Sequence, residues 1–124
     1  MGRKTNKFTK IMKTEAKIQQ ECLMYFQNNF GLKHHIPQLL MFSVPNEGKN
    51  AIEQMRKKSM GMKAGVSDTI LVFPNKVVFC EFKDATGKQS DKQMDFEKQV
   101  TALGHEYWII RSLDLFRINI NNIL

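Results

Sequence analysis

The sequence is poor in cysteine, proline, acidic residues and long apolar runs. Two cysteines, Cys22 and Cys80, occur in 124 residues, outside any Cys-x-x-Cys or Cys/His cluster. That excludes a disulfide scaffold and a structural zinc site, and both thiols are expected to be buried. Three prolines and seven glycines exclude a collagen-like or low-complexity chain. No apolar stretch approaches the roughly 20 residues that span a bilayer. The basic N-terminus is followed by no apolar segment, so a reducing, cytoplasmic setting is expected rather than secretion. Acids number 12 against 19 Lys and Arg, which leaves a net charge of +7 and a pI near 9.5.

What remains has ordinary globular usage, with 42% hydrophobic and 25% charged residues. At this length one domain is expected, large enough to hold a core without staples. The surplus of positive charge is clustered. Residues 1–13 contain Arg3, Lys4, Lys7, Lys10 and Lys13 and no acid, and read as a flexible basic arm. Residues 49–64 contain Lys49, Arg56, Lys57, Lys58 and Lys63 against one acid, Glu53. Two such stretches fit a surface that contacts a polyanion, nucleic acid before membrane.

The pattern along the chain predicts a helix capped by Thr14 and running to about Phe30, with Gly31 just beyond it. Its apolar stripe is Ile18, Cys22, Tyr25, Phe26 and Phe30. A strand is expected over 38–44, then a turn at Pro45-Asn46-Glu47-Gly48. Residues 50–60 fit either a short helix or a mobile basic loop, and Gly61 and Gly65 bracket a linker. Residues 68–73 and 76–83 read as a β-hairpin around Pro74-Asn75. Ser90 caps a helix to about Leu103, which Gly104 ends. Residues 107–111 form a strand, and Ser112 caps a last short helix. Strand, helix and strand make a βαβ unit, so its two strands should be parallel. The outline is a small α/β domain with a mixed sheet flanked by helices.

Strand alternation puts Val77, Phe79, Glu81 and Lys83 on one face. A two-residue loop at Pro74-Asn75 pairs Phe73 with Lys76. That register carries Asp68 opposite Glu81, with Cβ atoms roughly 4.5–5.5 Å apart. Two carboxylates that close repel, so one is protonated or a cation such as Mg²⁺ sits between them. The plainer reading makes Asp68 a strand-capping residue and Glu81 a partner of Lys83 on a solvated face. Glu15 falls within about 60° of the direction of Ile18, Cys22 and Phe26 on its helix, so it points toward the core at the helix end. It fits either an inward-facing ligand or a first-turn acid favoured by the helix dipole. Glu21 lies on the solvated side. Gln93 shares a face with Phe96, Val100 and Leu103, and Ser90-x-x-Gln93 also fits a capping box.

The order of these residues resembles a known family. Glu15 on a helix, Pro45-Asn46-Glu47-Gly48, Gly65-Val66-Ser67-Asp68, Glu81-Phe82-Lys83, Gln93 on a helix and Gly104 before a strand follow one another. This set resembles the VRR-NUC (virus-type replication-repair nuclease) branch of the PD-(D/E)XK superfamily, over roughly residues 14–113, in a stand-alone phage or bacterial form. Ser67 stands where many relatives have proline, which leaves the ligand set intact. The resemblance implies a restriction-endonuclease-like nuclease core over 14–124. It implies metal ligands Asp68, Glu81 and the Phe82 backbone carbonyl, with Glu15 reaching the metal directly or through water. It gives Lys83 the role of orienting or activating the attacking water, and Gln93 that of ordering the site. It further implies Mg²⁺ with Mn²⁺ able to substitute, a homodimer, no small-molecule cofactor, and a bacterial or phage-infected host cell. The expected activity is structure-selective cleavage of branched DNA, similar to Holliday junction resolvases, leaving a 5′-phosphate and a 3′-hydroxyl. Lys4, Lys7, Lys10, Lys13, Arg56, Lys57, Lys58 and Lys63 would hold the DNA backbone. The alternative is a non-catalytic basic DNA-binding module.

Other features have plainer readings. His34, His35 and His105 are expected to be structural, Trp108 to be core, and the methionines to fill core and loops. The apolar side chains from Leu113 to Leu124 form either core or a self-association surface.

Overall fold

In the computed structural model, residues 12–45 and 50–124 are described. The arm residues Lys4, Lys7 and Lys10 and the turn residues Asn46, Glu47 and Gly48 lie outside them. Helix α1 is Glu15–Asn29, with Thr14 Oγ1 accepting from the Lys17 N–H at 3.1 Å. Strand β1, Leu40–Ser43, is shorter than expected. The Leu39 N–H before it bonds the Phe30 carbonyl, and the Val44 N–H after it bonds the Asp68 carbonyl at 2.9 Å. Residues 50–60 take the helical option: α2 is Ala51–Ser59, capped by Asn50, and buries no side chain. It packs against no other described helix or strand.

Strands β2 (Thr69–Phe73) and β3 (Lys76–Phe82) form the hairpin. Asn75 takes φ 62°, the left-handed conformation that Asn tolerates, so two residues close the turn. Phe73 pairs with Lys76 as expected, and the ladder runs to Thr69 and Cys80. It ends one residue short of Asp68 and Glu81. Helix α3 (Asp91–Ala102), strand β4 (Glu106–Ile110) and helix α4 (Leu113–Ile123) follow. Strand β4 starts one residue earlier than the sequence suggests, because Glu106 already pairs with Val78. The sheet order is β1-β2-β3-β4, antiparallel except for the parallel β3–β4 pair.

One sheet face is covered by α1 and α4. Ile18, Cys22 and Phe26 meet Leu71, Val78, Cys80 and Phe82, with Phe116 and Ile120 completing the layer. Both thiols are buried there, and burial pushes Cys22 up to about 12. The last helix divides: Phe116 and Ile120 are core, while Leu115 and Ile118 face solvent. Helix α3 covers the other face, where Phe96 packs on Phe79 and Tyr107. Trp108 is core, and His35 bonds the Pro37 carbonyl through Nδ1 at 2.8 Å.

Candidate active site

Strand β3 delivers Glu81, with Lys83 just beyond it, to its C-terminal end, between α3 and the segment 65–68. Alternation sends Val78, Cys80 and Phe82 into the apolar layer, so Glu81 and Lys83 project toward α3. Glu81 is fully buried and Lys83 is 8% exposed. Lys83 Nζ lies 3.4 Å from Glu81 Oε2 and donates to Gln93 Oε1 at 3.1 Å. The Tyr107 phenol donates to Glu81 Oε1. Glu81 Oε2 is buried without a hydrogen-bond partner among the described residues.

Burial holds the Glu81 carboxyl above the usual glutamate range; the Tyr107 hydrogen bond and the Lys83 charge oppose that rise, and Asp68 adds to it. Burial, then the Glu81 carboxylate, raises Tyr107, so its hydroxyl stays a donor at neutral pH.

Gln93 completes the capping box and also reaches Lys83. Its Oε1 accepts from the Ser90 N–H at 2.8 Å and Ser90 Oγ accepts from the Gln93 N–H at 3.2 Å, a complete capping box. The same Oε1 accepts a hydrogen bond from Lys83 Nζ. Asp68 does not face Glu81 in the ladder. Instead its Oδ2 accepts from the Phe82 N–H at 2.7 Å, which anchors the carboxylate beside the end of β3. The preceding loop is held close to α3. Gly65 has φ +83°, and a Cβ there would stand 2.2 Å from the Lys92 carbonyl oxygen. Only glycine meets both conditions without strain. Ser67 is buried, its hydroxyl on the Thr69 carbonyl at 3.1 Å.

Glu15 is half-buried at the start of α1. A Cβ added at Gly87 would lie 3.3 Å from Glu15 Oε2 and 3.4 Å from Lys83 Cδ, which puts Glu15 at the same end of the sheet. Asp84 closes the loop after β3, its Oδ1 accepting from the Thr86 and Gly87 N–H groups. Glu21, expected on the solvated side of α1, pairs with Lys13 at 2.7 Å. That pair engages one of the lysines expected on DNA.

A cleft of about 560 Å³ opens beside this cluster, with Asp68, Gln93, Gly65, Val66, Val44 and Pro45 among its walls. Glu81 and Lys83 stand behind the wall. An adjoining groove shares Val44, Pro45 and Val66 and is lined by Arg56, Lys57 and Lys63. Lys58 borders a further groove with Lys63 and Lys92. The basic residues of 56–63 therefore lead away from the cleft. Lys57 also pairs with Glu53 at 3.2 Å.

Among the described residues, no three His, Cys, Asp or Glu side chains already stand as a metal cage. The donors at hand are Glu81 Oε2, the Asp68 carboxylate and the Phe82 carbonyl, with Glu15 nearby. They are all oxygen, as a hard divalent cation requires. A buried carboxylate oxygen that makes no hydrogen bond, with the Lys83 amine 3.4 Å away, is a position that a further cation fits. Sequence reading missed Tyr107. The signal was a tyrosine within an apolar β4 whose parallel register with β3 places it on the Glu81 face.

No protein-family profile matches the sequence, and no curated protein matches it. A solved structure named VRR_NUC domain protein is similar, with a TM-score of 0.69 at 17% identity, over 87% of this chain and 86% of that one. The chain thus shares the fold of that VRR_NUC domain protein, an α/β arrangement in which a four-stranded mixed sheet is flanked by helices.

Proposed function

We propose that this chain is a divalent-metal-dependent, structure-selective DNA endonuclease that hydrolyses phosphodiester bonds in branched DNA and works as a homodimer. The observation that carries this reading is the buried Glu81 whose Oε2 makes no hydrogen bond, beside the Lys83 amine and next to Asp68 at a cleft. A pure phosphate-binding surface gains nothing from acids placed there. The fold shared with a protein named for its VRR_NUC domain supports the same reading.

Asp68, Glu81 and the Phe82 carbonyl would hold Mg²⁺ or Mn²⁺, with Glu15 close enough to join them directly or through water. Such an ion supplies Lewis-acid polarisation of the phosphodiester and a lower pKa for the attacking water. Lys83, its amine held by Gln93 Oε1, orients that water and supports charge building on the phosphate. Gln93, fixed in turn by the Ser90 capping box, keeps the amine from collapsing fully onto Glu81. Attack in line with the leaving oxygen breaks the P–O3′ bond and gives a 5′-phosphate and a 3′-hydroxyl. Arg56, Lys57, Lys58 and Lys63 hold the DNA backbone without reading its sequence.

The test is a nicking assay on labelled branched, flap and linear DNA with Mg²⁺ or EDTA. Cutting is expected with Mg²⁺ alone, and on branched DNA first. Asp68→Ala, Glu81→Ala and Lys83→Ala should each abolish it while DNA binding persists. Cleavage that survives all three substitutions, or that proceeds in EDTA, would remove the assignment.

A further inference from the structure

Tyr107 pairs with Phe79 in the parallel ladder and so shares the sheet face of Phe79 and Glu81. Its hydroxyl donates to Glu81 Oε1. Glu81 Oε2, by contrast, has no hydrogen-bond partner among the described residues and lies 3.4 Å from Lys83 Nζ. One carboxylate therefore has two different oxygens, one tied by a hydrogen bond and one facing the Lys83 amine without one. A glutamate has three side-chain torsions, and without a tie it could rotate either oxygen toward the amine.

Tyr107 is itself held. Its ring packs edge-on against Phe96, with centroids 6.2 Å apart. Gln89 contacts the phenol and donates from Nε2 to Glu97 Oε1 on α3 at 3.0 Å. The tyrosine thus links Glu81 to a polar pair anchored on a helix.

We propose that Tyr107 is a positioning residue: by tying Glu81 Oε1 it leaves Oε2 as the oxygen presented to the divalent cation. This rests on the metal-dependent reading above. Groups that hydrogen-bond a ligating carboxylate orient it, and losing one typically costs about 10–100-fold in metal affinity.

Calorimetric titration of the full chain with Mn²⁺ tests it. Tyr107→Phe removes one oxygen and keeps the ring on Phe96. It is expected to bind Mn²⁺ about 10–100-fold more weakly than the unsubstituted chain. In cleavage assays the metal concentration for half-maximal cutting should rise in parallel, with kcat at saturating metal largely retained. A merely structural loss would lower kcat and leave that midpoint in place. Unchanged Mn²⁺ affinity in Tyr107→Phe overturns the positioning role and leaves the nuclease reading standing. An unsubstituted chain that takes up no Mn²⁺ overturns both.

A second measurement does not need Tyr107→Phe to fold. The chain has two tyrosines, so Tyr25→Phe leaves Tyr107 alone. A cation on Oε2 weakens Oε1 as an acceptor, so Mn²⁺ should shift the tyrosine near-ultraviolet absorption with the calorimetric midpoint. A spectrum unchanged at saturating metal overturns the proposal.

Discussion

At the start of β3, Lys76 meets Glu106 across the parallel ladder; at its end, Lys83 meets Glu81. The first pair is short, 2.6 Å, with side chains 44% and 39% exposed. Its lysine hydrogen bond holds Glu106 below the usual glutamate range. The second is longer, 3.4 Å, with side chains 10% and 0% exposed, and burial pushes Glu81 the opposite way. Both pairs join a lysine to a glutamate at an end of β3, and what separates them most is access to water. Exposed ions keep most of their hydration, and their contact stabilises little. Buried ions give hydration up and depend on each other, and an oxygen left over is a vacancy for further positive charge.

That contrast can be broken from either end. The largest effect is expected from Lys83→Met, which leaves the Glu81 carboxyl buried without its cation. Removing one partner of a buried pair costs about 3–5 kcal/mol, so denaturant unfolding should show a loss of that order together with lost cleavage. Glu81→Gln tests the same pair from the other side. It leaves the Lys83 amine without its carboxylate, so stability in metal-free buffer should also fall, though less than in Lys83→Met because Gln93 Oε1 still accepts from the amine, and metal uptake by calorimetry should be abolished.

Gly65→Ala moves the comparison from charge to backbone. The substitution forces an unfavourable φ and a contact with the Lys92 carbonyl at the cleft wall. It should cost more than about 1 kcal/mol in urea unfolding, and cleavage should fall further than stability does. A substitution at the exposed end should do less than any of these. Lys76→Met is expected to change stability by less than about 1 kcal/mol and to leave cutting untouched. The smallest effect is its pH signature. Because the folded state lowers Glu106, the pair's contribution is present above the ordinary glutamate value and fades as pH falls through the lowered one. Unfolding of the unsubstituted chain and of Lys76→Met should therefore converge at acid pH.

Local chemistry made much of this legible in advance. Thr14, Ser90 and Ser112 cap helices because a hydroxyl before an apolar pattern has few other uses, and all three do so. Pro74-Asn75 set the hairpin register because the loop length determines which residues face each other. The register stops short of Asp68, whose carboxylate turns to the Phe82 N–H instead; a side chain that can bond the backbone ends a ladder that alternation alone would extend. Gln93 closes the capping box and also accepts from Lys83, two contacts that the sequence left open side by side. Tyr107 was hidden because its meaning depends on the parallel register of strands separated by a helix. A hairpin states its register in its turn, and a crossover does not.

A capping box accepts glutamate as readily as glutamine at its third position. At position 93 the two would not be equivalent. The oxygen that closes the box also receives the Lys83 amine, so a carboxylate there would compete with Glu81 for the same positive charge and draw it toward the helix. A neutral amide holds the lysine without claiming it. The first turn of α3 thereby doubles as a brace whose electrical neutrality, more than its helix-starting power, accounts for the residue at 93.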